Sequence, residues 1–401
     1  MNTATHSAET HARIAPSSLH LTVACPGSVR MQEQVPPTPD TDEELEGQVA
    51  HRIALGVASH SWEPKVGDNL PHAGRVFEID DDMIDGARLY AEEAQFHSDA
   101  RYEDAVDVRH VIPECWGTPD YWRLIGPNTD DLRIAAEGYQ ITGMVKSVDY
   151  KYGFRHVEVF ENPQLIAYTL GVQARLQLPW DTPACLTIVQ PRSYHHEGPV
   201  REWRESNGRP LTLRDLYQFA QQTIVPAVNE ALSDSPRTIS GPHCVDCKAR
   251  HQCPAYRKTT ANVLRYVGTA QPDIMSPEAV GVELRLVKWA IKMLEGREAG
   301  LQAHAQACIN AGLQIPYWRM GATMGRLKWR DGYSAEQLAT TFDLIGADIR
   351  KPQQLITPSN TIREKGIDKR IVELYAHRPP GVPKLIPDDT TQFRKVFGHS
   401  K

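Results

Sequence analysis

The chain has 401 residues with 44 Lys+Arg against 50 Asp+Glu, a formal net charge of −6. At roughly 100–200 residues per domain, that length predicts two or three domains. A content of 41% hydrophobic and 23% charged residues excludes wholesale disorder, and no apolar run approaches the ~18 residues of a membrane-spanning helix.

Residues 1–16 are polar, without a basic n-region or an apolar h-region, so they predict a disordered start and no secretory signal. Ser17-Ser18-Leu19 opens a short apolar stretch that ends at Cys25-Pro26, and 35–40 is a Pro-rich loop. Leu45, Val49, Ile53 and Val57 recur every four residues, which predicts one apolar stripe of a helix. An acidic helix is predicted over 81–97. The period then shortens, and 106–112, 121–125 and 141–151 read as strands. Asn162-Pro163 supplies an N-cap and an N1 proline for a helix carrying Leu165, Tyr168, Thr169 and Val172. A strand over 185–190 completes a strand–helix–strand α/β core. Residues 212–232 read as helical, and Ser276-Pro277-Glu278 starts a long helix running to about Ala311 and stopped at Gly312. Beyond it the chain is rich in proline and basic residues.

The net charge hides an asymmetry. Residues 259–401 hold 20 basic and 14 acidic side chains, a net +6, so residues 1–258 hold 24 and 36, a net −12. A basic C-terminal part can follow a phosphate backbone even where the whole chain is acidic. Interleaved cations and aromatics (Tyr317, Trp318, Arg319, Arg326, Lys328, Trp329, Arg330) suit single strands.

On a strand, Asp149 and Lys151 point to one face, with Val148 and Tyr150 on the other. Upstream, Gly117-Thr118-Pro119-Asp120 sets a second acid beside a strand. If 120–125 and 141–151 pair as a hairpin, Asp120 and Asp149 meet and can hold a hard divalent cation. Such a cation activates water and neutralises a phosphodiester, and Lys151 stabilises the developing charge. Gln164 and Tyr168 lie four apart and share a helix face. His51 follows Glu46-Gly47 on the first predicted helix, and its imidazole offers a nitrogen that favours Mn²⁺. Taken singly, each of these also reads as an ordinary ion pair, core aromatic or surface acid.

Seven cysteines are too sparse for a disulfide scaffold, and in a reducing cytosol clustered cysteines read as metal ligands. Cys244-Val245-Asp246-Cys247 is C-x2-C, and Cys253 follows after five residues. The fourth ligand is Cys25, His243 or His251: a histidine makes a zinc site, and Cys25 suits a [4Fe–4S] cluster. Cys115, Cys185 and Cys308 read as buried small hydrophobes.

Together, the order of a cysteine, a helix with Glu-Gly and His, Gly-x-x-Asp, Asp-Tyr-Lys, Gln-x-x-x-Tyr and C-x2-C-x5-C resembles the RecB-like branch of the PD-(D/E)XK nucleases. More narrowly it is similar to the iron–sulphur members: the AddB nuclease domain, the CRISPR adaptation nucleases, and a phage and prophage exonuclease family. Asn162-Pro163-Gln164-Leu165 with Tyr168, Gln190-Pro191-Arg192, and Lys328-Trp329-Arg330-Asp331 are similar to the phage family in particular. The resemblance implies an α/β fold: a mixed central sheet flanked by helices over 17–258, an iron–sulphur staple, and a mainly helical accessory region over 259–401. It implies catalytic roles for Asp120, Asp149, Lys151, Gln164 and Tyr168. It gives the ligands of Mg²⁺ or Mn²⁺ as His51, Asp120, Asp149 and the Tyr150 carbonyl. It makes Cys25, Cys244, Cys247 and Cys253 the cluster ligands.

The gap from Asp120 to Asp149 needs an inserted loop over 126–138, in which Asp130, Asp131 and Glu137 are other candidate partners of Asp149. The implied activity is metal-dependent DNA hydrolysis, from single strands or duplex ends, in the cytoplasm of a bacterial host. A strand-annealing or single-strand-binding protein or a helicase is the expected partner, and no membrane. Two other readings are a non-catalytic DNA-binding scaffold and a zinc-binding interaction protein.

Overall fold

The computed structural model describes residues 12–35, 40–126, 143–193, 195, 197–267 and 275–320, with Glu336, Gln337, Thr340, Thr341 and Leu344 beyond them. The chain divides into two compact units, Met1–Arg319 with Thr391–Lys401, and Met320–Thr390. Every element named below lies in the first.

A 3-10 turn at Pro16–Ser18 leads into α1 (Leu19–Ala24) and α2 (Ser28–Glu33). Helix α3 (Asp42–Ala58) opens with a capping box, in which Thr41 Oγ1 accepts from the Glu44 N–H and Glu44 Oε2 from the Thr41 N–H. A hairpin of β1 (Asn69–His72) and β2 (Arg75–Glu78) precedes α4 (Asp81–Glu93), capped by Asp80. The short strands β3 (Arg101–Tyr102), β4 (Val106–Asp107) and β5 (Trp116–Gly117) lead to β6 (Tyr121–Ile125) and β7 (Met144–Tyr150). Helix α5 (Pro163–Leu176) crosses over to β8 (Ala184–Val189), followed by β9 (Val200–Trp203), β10 (Glu205–Ser206) and β11 (Arg209–Pro210). Next come α6 (Leu213–Phe219), a π-turn (Ala220–Ile224) and α7 (Val225–Ala231). Two 3-10 turns, Pro242–Asp246 and Lys248–His251, carry the cysteine motif into α8 (Pro254–Val267) and the long α9 (Pro277–Asn310).

The central sheet has five strands in the order β3-β6-β7-β8-β9. Strands β7 and β8 run parallel and the other neighbours antiparallel, so the sheet is mixed. Its two faces have separate cores. Val145, Trp122, Leu186 and Ile188 pack under α5, whereas Tyr121, Val148, Tyr150 and Val189 pack under α3 and α4. The alternation along β7 produces this division, because successive side chains leave opposite faces. Among the described residues no helix is long and apolar enough to cross a membrane.

Several expectations change. Residues 12–16 are part of the packed fold: Ile14 is fully buried and bridges Cys115. The apolar run over 106–112 pairs as a strand only at Val106–Asp107, because the amides of Val111 and Ile112 turn back onto the Val108 carbonyl. Helix α4 stops at Glu93 rather than 97. Cys115 and Cys185 are buried as expected, but Cys308 is only half-buried, 3.6 Å from His304 Nε2. The loop over 126–138 lies outside the described residues from 127 on, together with Asp130, Asp131 and Glu137. Arg326, Lys328, Trp329, Arg330 and Asp331 are outside them too, while Tyr317, Trp318 and Arg319 are exposed.

Candidate active site and cysteine pocket

Strands β6 and β7 pair in the register Tyr121↔Val148, so the next step sets Asp120 opposite Asp149. Side chains opposite one another in an antiparallel pair share a face with Cβ atoms about 5 Å apart. The Tyr150 N–H donates to Asp120 Oδ2 at 2.8 Å and fixes that carboxylate at the strand end. His51 on α3 brings Nδ1 to 3.6 Å from the same oxygen. Two donors bound to one cation at about 2.1 Å stand about 3.0–3.4 Å apart, so a small closure would let them share one. Gly117 precedes this corner because the chain is crowded there. A Cβ on it would lie 2.9 Å from Pro16 and 3.2 Å from the Tyr168 ring.

Asp149 is 2% exposed. Lys151 Nζ lies 2.9 Å from its Oδ2, and Gln164 Nε2 donates to its Oδ1 at 2.9 Å. Gln164 Oε1 also accepts from Lys151 Nζ at 3.2 Å, which closes a three-residue ring. Gln164 can do this because Asn162 caps α5, accepting from the amides of Gln164 and Leu165, and aims the first helical turn at the end of β7. Tyr168, one turn on, is buried, and its hydroxyl is pushed up by burial and then by Asp149 and Asp120.

Burial pushes the Asp149 carboxyl above its ordinary value; Asp120 adds to the rise, and the Lys151 ammonium opposes it. Burial by itself would lower Lys151, but the carboxylates of Asp149 and Asp120 outweigh it and hold the ammonium charged. Two carboxylates facing one lysine leave a net negative site, which repels a phosphodiester until a cation is added.

The structure therefore brings His51, Asp120, Asp149, Lys151, Gln164 and Tyr168 to one corner. The Tyr150 ring turns away into the α3–α4 core and meets His51 edge-on at 5.1 Å. Two neighbours had no sequence signal. Tyr90 is buried, and its hydroxyl is pushed well up by burial and then by Asp120 and Asp149. Glu103, at φ +44°, lines the same small pocket as His51, Tyr90 and Asp120. Glu46 does not reach the carboxylates; it pairs with Arg192.

The second constellation is the cysteines. Cys25, Cys244 and Cys247 are buried and Cys253 half-buried, none is in a disulfide, and all four line one pocket. The Ile239 N–H donates to Cys25 Sγ at 3.2 Å, and the Gly241 N–H to Cys244 Sγ at 3.3 Å. Burial pushes the thiols of Cys25, Cys244 and Cys247 up, the last to about 11, so a thiolate there needs a compensating cation. Among the described residues no three His, Cys, Asp or Glu side chains are already drawn close enough to hold a metal ion. The pocket and its amide donors nevertheless fit a four-thiolate group, whose sulphurs take hydrogen bonds from the chain. Of the other candidate ligands, His243 lines the pocket but engages the Ile239 carbonyl through Nε2, and His251 stacks on His304 outside it.

The match to a family model spans residues 11–392 and so takes in the sheet, the acidic corner and the cysteines alike. The chain belongs to DUF2800, a family described as proteins of unknown function.

Proposed function

We propose that this protein is a metal-dependent DNA nuclease, acting as an exonuclease in phage-type recombination or repair. The observation that carries this reading is the convergence of Asp120, Asp149, Lys151 and Gln164 where β6 and β7 end and α5 begins. This is the RecB-like PD-(D/E)XK pattern, with His51, Asp120, Asp149 and the Tyr150 carbonyl as the holders of Mg²⁺ or Mn²⁺. A bound ion of this kind acidifies a water and neutralises charge on the phosphodiester. Gln164 and Lys151 hold Asp149 in one rotamer, so its carboxylate would have little entropy left to lose on taking a cation. Lys151, held cationic, orients the attacking water and stabilises negative charge on the phosphoryl oxygens. Tyr168, buried one turn beyond Gln164 on α5, closes the wall beside it. Cys25, Cys244, Cys247 and Cys253 hold a [4Fe–4S] cluster whose role is structural. DNA is the substrate, and a strand-annealing protein or a helicase the partner.

The test is cleavage of end-labelled DNA with and without Mn²⁺. Lys151→Ala and Asp149→Ala should each lower hydrolysis by about a hundredfold or more, with circular dichroism unchanged. Full cleavage by both variants overturns the mechanism. Wild-type binding of DNA without metal-dependent hydrolysis overturns the enzymatic reading in favour of a scaffold.

A further inference from the structure

Residues Gln190-Pro191-Arg192 follow directly on β8, and each meets a different part of the chain. Gln190 is fully buried. Its Nε2 donates to the carbonyls of Gly153 and Arg155, at 2.7 and 2.6 Å. Its Oε1 accepts from the Val157 N–H at 3.1 Å and from Arg201 Nη2 at 2.7 Å. A primary amide has two donors and two acceptor sites, so this side chain is saturated. Three of its four bonds go to the main chain that leaves the sheet just after Lys151, whose own N–H is held by the Val189 carbonyl at 2.8 Å.

Pro191 and the Tyr150 hydroxyl crowd α4 at Gly86, where an added Cβ would lie 2.9 and 2.6 Å from them. Arg192 reaches α3. Its guanidinium forms a fork with Glu46, at 3.1 and 2.9 Å, donates to the Tyr152 hydroxyl at 2.8 Å and covers the Tyr152 ring at 3.8 Å. Glu46 lies on α3, five residues before His51.

We propose that Gln190 and Arg192 are positioning residues of the nuclease site. Gln190 holds the segment after Lys151, and so the Lys151–Asp149 contact. Arg192, through Glu46, holds α3, and so the distance from His51 to Asp120. The inference rests on the nuclease reading, and it gives Glu46 a role as the α3 end of the clamp. A planar fork is required there, because a lysine cannot make both carboxylate bonds and cover a ring.

The two arms differ in what they should disturb. Gln190→Glu keeps the shape but removes both donors. It should lower kcat for DNA about tenfold or more, leave KM and the Mn²⁺ dissociation constant unchanged, and speed proteolytic cleavage over residues 153–156, where the Gly153 and Arg155 carbonyls lose their donors. Arg192→Lys and Glu46→Gln should each weaken Mn²⁺ binding about threefold to tenfold, measured by titration without DNA. Together they should weaken it no more than either alone, as expected of two ends of one contact. Wild-type kcat in Gln190→Glu, wild-type Mn²⁺ affinity in Arg192→Lys, or additive effects of the Glu46 and Arg192 changes overturn the proposal. If Gln190→Glu does not fold, the Arg192 and Glu46 variants still decide it. If the wild type cleaves no DNA, the nuclease reading falls, while Mn²⁺ affinity and proteolysis over residues 153–156 still decide whether the clamp exists.

Discussion

Two aspartates show how partners decide what burial does to a carboxyl group. Asp149 is pushed up by burial and by Asp120, and the single ammonium of Lys151 does not restore it. The fold thus keeps a costly carboxylate at a strand end, as functional corners do. Burial acts in the same direction on Asp215, yet its carboxyl falls below the ordinary 3.8 because of Arg209 and Thr212. Arg209 makes a fork on it at 2.6 and 2.8 Å, and it completes the capping box of α6. A carboxyl lowered by folding contributes stability that is present above its unfolded value and is lost as pH falls through its folded one. Asp215→Asn should therefore cost about 1–2 kcal/mol at pH 7. In chemical denaturation the gap from wild type should close as pH drops below 3.8; a gap that persists undiminished in acid would mean that charge plays no part. The pairing of Asp149 with Lys151 was legible in the sequence, because residues two apart on a strand share a face. Asp215 was not, because Thr-x-x-Asp marks many helix starts and its arginine comes from a two-residue strand.

At the level of elements, α5 sets the corner by where it begins and how closely it lies on the fold. Its start was readable from Asn162-Pro163, and its close approach depends on Gly171. A Cβ on Gly171 would stand 2.7 Å from Val106 Cγ2 and 3.3 Å from Val108 Cγ2. Gly171→Ala gains about 1 kcal/mol of helix propensity. Overpacking costs about 1–3 kcal/mol, so the variant should melt lower than wild type and lose part of its Mn²⁺-dependent activity. An unchanged or raised melting temperature would show that β4 yields freely. The limits of α9 were equally legible, from Ser276-Pro277 to Gly312 at φ +83°. The β1–β2 hairpin was not. Its turn is Ala73-Gly74, both at positive φ, rather than the usual Asn-Gly, and Pro71 sits within the first strand.

Across the whole molecule, the N-terminal segment is fastened to residues more than two hundred positions away. Ile239 donates to Cys25, Gly27 to the Arg237 carbonyl, Arg30 to the Asp234 carbonyl, and Lys248 to Gln32 Oε1. The C-x2-C-x5-C spacing drew Cys244, Cys247 and Cys253 together, but nothing local in the sequence tied them to Cys25; only the order of motifs did. Cys25→Ala and Cys253→Ala should behave alike, losing bound iron, its absorbance near about 400 nm and up to about 5 kcal/mol of stability, the scale for closing so long a loop. Cys115→Ala is the control that keeps the colour. Full iron content in Cys25→Ala would detach the N-terminus from the cluster. The same fastening has a consequence for the order of folding. Leu19 packs into the core beneath α5, but Leu21 is covered by Cys247 and Ala249, so that side of α1 is finished only when the cysteine motif is in place. A chain cut after residue 233 should therefore leave Leu21 uncovered and α1 open to proteases, whereas one cut after residue 267 should protect it.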